Sequence, residues 1–312
     1  MKVLIAGATG VIGRRLVPQL LACGHAVTAM VRSPESAAAA RAMGASHVIA
    51  DALDAGATEH ALAEAAPDAV IHQLTSLPRR IDPRHIERDF VVNDRLRGEG
   101  TRNLVAAAQA SGARRVIAQS IAFAYAPGPP GTIHRESDPL LSDEQAPQSF
   151  RRSARALREL ESAVLGASGV VLRYGYFYGP GSAIAPDGSI GEDVTRRRMP
   201  VVGAGGGVWS FIHVDDAAAA TVAALDRGRP GAYNVVDDEP ALVSEWLPAL
   251  AAALGARKPP RVPALLARLV AGSFGASAMT SAQGASNELA KAELGWAPSH
   301  GSWREGFRTA LS

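Results

Sequence analysis

Three glycines stand at three-residue intervals near the start of the chain, in Gly7-Ala8-Thr9-Gly10-Val11-Ile12-Gly13. Each has a separate use if the segment is a turn from strand to helix. Gly7 lets the chain turn sharply, Gly10 lets a pyrophosphate approach the main chain, and Gly13 lets the helix lie close against the strand. Free N–H groups at the helix start, with the helix dipole behind them, then hold phosphate. Thr9, Val11 and Ile12 complete the loop, and the whole stretch reads as a dinucleotide site. A second apolar strand ends Met30-Val31-Arg32, where an NAD enzyme places an acid against the ribose hydroxyls. Here no carboxylate repels a 2′-phosphate and the Arg32 guanidinium can clamp one, so NADP(H) is favoured over NAD(H).

The elements that must position these groups follow from the hydrophobic pattern. Val3-Leu4-Ile5 is an unbroken apolar run, as in a strand buried on both faces of a parallel sheet, and residues 14–21 read as the helix after the turn. Further strands are predicted at 26–31, 46–50, 68–72, 114–119, 169–173 and 231–236, with a long helix containing Asn93 and another beginning at Phe150. Residues 127–148 are rich in proline, glycine and acids and read as a long functional loop. Beyond Glu239 the chain is mainly helical, at 242–254, 264–270 and 286–294.

Composition narrows the function. The chain has 312 residues, 47% hydrophobic and 20% charged, which fits a globular protein of about two domains. A net charge of +2 is too small to point to nucleic acid or an anionic membrane. The expected partner is a small-molecule substrate, with no nucleic acid and no membrane, and with a homodimer left open. No apolar run approaches the roughly 20 residues of a membrane helix, and no leader pattern precedes the first strand. Cys23 is the sole cysteine, so no internal disulfide can form. A cytoplasmic location is therefore expected. No His or Cys spacing suits a metal, so none is expected, and His72 reads as a satisfied core histidine.

Several segments together resemble the extended short-chain dehydrogenase/reductase family, the NAD-dependent epimerases/dehydratases. They are the glycine turn with Thr9, Asn93 ahead of Gly100-Thr101-Arg102-Asn103-Leu104, Leu172-Arg173 with Tyr178-Gly179-Pro180, and His213-Val214-Asp215-Asp216. The resemblance continues through Leu294-Gly295-Trp296 to Trp303-Arg304-Glu305-Gly306-Phe307. It implies an α/β fold, a Rossmann-type doubly wound parallel sheet in the order 3-2-1-4-5-6 with a smaller C-terminal substrate lobe. Residues 1–178 would form the NAD(P)-binding domain, with 201–236 returning to it, and 179–200 and 237–312 the substrate-binding lobe. It also implies cofactor contacts from Asp51 and Ala52, from Gln73 and Leu74 in the turn over the cofactor, and from Asn93, Ser120 and Tyr174. Asp51 can also cap the next helix, a role compatible with the first. Asp215 and Asp216 read as structural, at the start of an alanine-rich helix.

The family's Tyr-x-x-x-Lys pair is missing. No tyrosine lies between Tyr125 and Tyr174, and no lysine between Lys2 and Lys258. In the family the tyrosine transfers a proton while the lysine lowers its pKa and binds the ribose. The usual catalytic hydroxyl position falls on Ile121, with Ser120 one residue earlier. Tyr174, Tyr176 and Tyr178, with Tyr125 and Ser120, are then the candidate proton donors. The expected activity is that of an NADP(H)-dependent oxidoreductase or epimerase acting on a small carbonyl or alcohol. The alternatives are a catalytically silent NADP(H) sensor and a non-redox isomerase or cyclase.

Overall fold

Seven parallel strands make the central sheet: β1 (Lys2–Ala6), β2 (Ala26–Val31), β3 (Ser46–Ile49), β4 (Ala69–His72), β5 (Arg115–Ile121), β6 (Val170–Tyr174) and β7 (Gly231–Val235). Their order is β3-β2-β1-β4-β5-β6-β7, the expected order of six with one strand added at the far edge. Apolar runs place β4 and all of β1 but Lys2 out of solvent, as a sheet covered on both faces requires. The computed structural model describes residues 1–129 and 131–310; Pro130, in the predicted loop, and Leu311 and Ser312, at the end of the predicted substrate lobe, lie outside the described residues.

Helices α1 (Gly13–Ala22), α2 (Pro34–Ala42) and α6 (Val214–Asp226) cover one face, burying Leu16, Leu20, Ala40 and Ala217 against Val3 and Ile5. Helices α3 (Ala55–Ala65), α4 (Thr101–Ala110) and α5 (Arg151–Gly166) cover the other, burying Leu62, Leu104 and Leu160 against Leu4 and Val70. The helix expected around Asn93 is one rod with a wide turn in it. Val91–Arg95 runs through a π turn, Leu96–Gly100, into α4, with Arg95 and Gly100 both keeping helical backbone angles.

A separate core gathers Trp209, Phe211, Trp246, Trp303 and Phe307. Short strands knit it: Val201–Val202 beside Arg261–Val262, and Val208–Trp209 beside Ala241–Leu242. The helix predicted at 264–270 extends over Ala264–Thr280, bent where Gly272 leaves helical geometry at φ 70°. The long loop is tied down by Ile133–His134, which pairs with Gly284–Ala285. Among the described residues no helix is long and apolar enough to cross a membrane.

Candidate functional site

The glycine turn sits at the carboxyl end of β1, and its glycines differ in what confines them. Gly7 has φ +101°, and a Cβ there would lie 2.6 Å from the Gln73 backbone. At Gly13 a Cβ would lie 2.3 Å from the Gly7 carbonyl oxygen, so only glycine lets α1 start so close to the strand. Gly10 is different. A Cβ there would meet only the Gly7 oxygen, at 3.3 Å, and Gly10 and Val11 are exposed while Ile12 anchors the loop in the core. The side-chain space that Gly10 leaves is thus open, beside the first N–H groups of α1, and it fits a pyrophosphate. Thr9 is half-buried, and its carbonyl accepts from Arg14 Nε at 2.8 Å.

Next to the turn, Met30, Arg32, Asp51, Ala52, Leu74 and Leu96 line a narrow cleft. Arg32 is exposed and its guanidinium has no partner among the described residues. Asp51 is not the helix cap, because Asp54 caps α3 by accepting from Ala57 N at 2.9 Å. Asp51 instead accepts from Leu53 N and faces the cleft. Asn93, fully buried, accepts from Ser76 N at 3.1 Å and so fixes the turn after β4. His72 is a core histidine, as expected. Its Nδ1 accepts from Leu74 N, leaving Nε2 to donate to Thr101 Oγ1 at 3.0 Å, and burial lowers its pKa to about 4.

The five candidate proton donors are not brought together. Ser120 points to the α5 side of the sheet and donates to Glu161 Oε1 at 2.7 Å. Glu161 pairs with Arg173 at 2.6 Å, and Arg173 donates to the Tyr125 hydroxyl, which donates to Asn234 Oδ1 at 2.6 Å. This chain of polar groups is buried throughout. Tyr174 points to the opposite face, where its hydroxyl accepts from Gln73 Nε2 at 3.0 Å and meets Thr221 Oγ1 at 2.6 Å. Tyr178 lies in the aromatic core between Phe211, His213 and Phe307, its hydroxyl unpaired among the described residues. Only Tyr176 is half-exposed, stacked between Phe123 at 4.2 Å and Trp209 at 3.8 Å. Burial pushes the Tyr125 and Tyr174 phenols up to about 12 and those of Tyr176 and Tyr178 higher still, away from the range of an activated acid.

Where α5 begins, its arginines pair away from its apolar face: Arg152 with Asp94, and Arg155 and Arg158 with Asp143. Phe150, Ala154 and Leu157 pack with Ile86, Phe90 and Ala124, joined by Ile121 and Phe274. Ser153 is held by Asp94 Oδ2 at 3.0 Å. Above the site, the loop after β4 crosses to the helix Ser189–Thr195, where Arg79 and Arg80 pair with Glu192 and Arg80 also with Asp193. Phe123 and Trp209 carry no signal in the sequence beyond aromatic character near a strand end.

Among the described residues one cluster has metal-ligating groups, His213, Asp216 and His300, with donor atoms within 4.8 Å of one another. It is a clasp for the C-terminal segment. Both Asp216 oxygens are engaged, by the Ser299 and His300 backbone and side chains, and the two imidazoles lie stacked at 3.8 Å instead of converging on a point.

Residues 3–236 match the family model of the NAD-dependent epimerase/dehydratase family. The chain belongs to that family. Along nearly its whole length it is also 47% identical to the 3-diazoavenalumate denitrifying reductase of a Streptomyces species, covering 98% of this chain and 99% of that protein. A 2-alkyl-3-oxoalkanoate reductase of Stenotrophomonas maltophilia is 29% identical, over 84% of this chain and 77% of that one. Among solved structures, the Thermus thermophilus UDP-glucose 4-epimerase complex with NAD superposes with a TM-score of 0.74 at 25% identity, covering 100% and 98% of the two chains. A human epimerase family protein with NADPH has the same TM-score at 21% identity, covering 100% and 99%, and shares the fold. This family member is therefore an oxidoreductase of the short-chain dehydrogenase/reductase type, and a nicotinamide nucleotide is its cofactor.

Proposed function

We propose that the protein is an NADPH-dependent reductase that places hydride on a strongly electrophilic aromatic carbon without a proton from the protein, and that its substrate class is the aryldiazonium ions. The observation that carries this reading is the apolar packing of Phe150, Ala154 and Leu157, at the start of the helix where the family's proton-donating pair belongs. When bound, the reduced nicotinamide supplies a hydride; with an aryldiazonium acceptor the new C–H bond replaces the C–N bond, dinitrogen leaves with that bond's electron pair, the positive charge passes to the oxidised cofactor, and no proton enters the balance. Carbonyl reduction, named for the less similar relative, leaves an alkoxide that must be protonated. The name of the Streptomyces relative joins a diazo compound to denitrification and reduction, which supports the first chemistry.

The chain's own residues have distinct duties in this reading. The turn from Gly7 to Gly13 and the start of α1 hold the pyrophosphate. Arg32 clamps the 2′-phosphate, and Asp51 and Ala52 border the adenine. Leu74 and the turn fixed by Asn93 lie along the cofactor's path toward β5. Phe123, backed by Tyr176 and Trp209, presents a half-exposed ring on which a planar cation can stack. The loop after β4 is tied by Arg79 and Arg80 to Glu192 and Asp193 of the helix Ser189–Thr195. Residues 179–200 and 237 onward provide the substrate side.

The test is to follow loss of NADPH with aryldiazonium salts and, in parallel, with aryl ketones and 3-oxoacids, each above the enzyme-free rate. One dinitrogen released per NADPH consumed, with ketones untouched, is the expected result. Turnover of the ketones with the diazonium salts ignored would overturn the reading.

A further inference from the structure

Arg97 is an arginine with no partner among the described residues. It is only 7% exposed, yet its guanidinium makes no hydrogen bond or ion pair among the described residues. Burial lowers its pKa to about 10, so it stays charged at neutral pH. Two neighbours on the same helix are each half-satisfied: Asn93 Oδ1 and Asp94 Oδ2 have partners, while Asn93 Nδ2 and Asp94 Oδ1 are buried with none among the described residues. Unmatched polar groups are rare in protein interiors, and two such atoms beside a buried, unpaired arginine mark a place built for something polar.

The topology says where that place is. Helix α4 joins the parallel neighbours β4 and β5, so it and the π turn before it run antiparallel to β4. Thr101 meets His72, the last residue of β4. Arg97, one turn earlier, therefore lies just beyond the carboxyl end of that strand. Its charge is felt there, where it helps to lower the pKa of His72. On either side of it, Leu96 lines the cofactor cleft and Asn93 fixes the turn at Ser76. A π turn, which often marks a functional site, gives this stretch its register. The adjoining start of α5 brings Ser153, Ala154 and Leu157 and no lysine.

We propose that Arg97 is the cation of the nicotinamide half-site, its guanidinium donating to the ribose hydroxyls of the nicotinamide nucleotide. This rests on the reductase reading above and takes over the duty for which α5 has no lysine. Five fixed donors suit a diol, and a group that cannot accept a hydrogen bond suits a position where binding, not proton transfer, is needed.

Calorimetric titration of the full chain with NADPH and with adenosine 2′,5′-bisphosphate, which lacks the nicotinamide half, tests the assignment. Arg97→Met should raise the NADPH Kd on the order of ten- to a hundredfold, and leave the bisphosphate Kd within about twofold. Arg97→Lys, which keeps the charge, should recover part of the loss. Equal weakening of both ligands by Arg97→Met would mean that the residue only supports the fold, and no weakening of either that it does not touch the cofactor. Both results overturn the proposal while leaving the reductase reading intact. If the unmutated chain bound neither NADPH nor NADH, the reductase reading would fall and this assignment with it.

Discussion

Alanine at Gly10 and alanine at Gly13 should fail in opposite ways. At position 10 the new Cβ meets one atom, the Gly7 carbonyl oxygen at 3.3 Å, and a shift of a few tenths of an ångström relieves it. Restricting the unfolded chain by Gly→Ala returns about 0.4–1 kcal/mol, so stability should change by less than about 1 kcal/mol. Binding should change much more, because the methyl group stands where the pyrophosphate approaches the backbone. Losing one charge-assisted contact to phosphate costs about 1.5–3 kcal/mol, or roughly ten- to a hundredfold in Kd. At position 13 the Cβ would lie 2.3 Å from the Gly7 oxygen and 2.4 Å from the Ala8 oxygen, both backbone atoms. Helix α1 must then move off the sheet, an overpacking cost of about 1–3 kcal/mol or more, which lowers Tm by several degrees. Thermal unfolding by circular dichroism and titration of NADPH fluorescence separate the two effects. Normal cofactor affinity in Gly10→Ala, or equal destabilisation by both variants, would refute the assignment of the phosphate turn.

Arg32→Ala should reduce the preference for NADPH over NADH by roughly tenfold or more, measured as the ratio of two Kd values; equal affinities in the unmutated protein would remove the basis for it. Tyr125→Phe leaves Arg173 and Asn234 short of a partner and Tyr174→Phe does the same to Gln73 and Thr221. Each should cost about 1–3 kcal/mol of stability in denaturant melts, with hydride transfer at its full rate. A hundredfold fall in kcat from either change, with stability kept, would restore a phenol as proton donor. Asp237, buried with one carboxylate oxygen unpaired, has its pKa raised from 3.8 to about 8, chiefly by burial. Its folded pKa is the higher one, so its contribution is complete below about pH 4 and is lost as the pH rises through about 8. Stability should fall across that window, by about 6 kcal/mol at most from this group. Asp237→Asn should flatten the decline in denaturant melts taken at several pH values, and an unchanged slope would contradict it.

The parts of the fold that rest on local pattern could be read from the chain. The apolar run of β1, the glycine turn and the strand–helix alternation determine the sheet, because each is settled by neighbours in sequence. The seventh strand was visible as the run from Gly231, yet its place beside β6 depends on pairing across 61 residues, Gly231 with Val170. The tyrosines show the limit more sharply. Tyr174, Tyr176 and Tyr178 look like one cluster, but Gly175 carries the chain past Ser210, where a Cβ would lie 2.4 Å from the Ser210 oxygen. Tyr174 then ends the central sheet, while Tyr176 and Tyr178 begin a separate pairing with Phe211–His213. Their hydroxyl partners, or lack of them, come from segments far along the chain, and spacing carries no trace of that. Arg97 did have a signal, four residues before Thr101 on the buried side of a helix. The π turn that sets its position had none, since its backbone angles stay helical at both ends.

Transfer of label gives the most direct test of hydride delivery without a protein proton. The enzyme is supplied with NADPH carrying deuterium at the transferred position, in ordinary water, together with an aryldiazonium salt. The deuterium should appear in the product at the carbon that lost nitrogen, with kcat flat from mildly acidic to mildly alkaline pH and no solvent isotope effect. Hydrogen drawn from water at that carbon, or a kcat that falls as pH rises and slows in deuterium oxide, would contradict it.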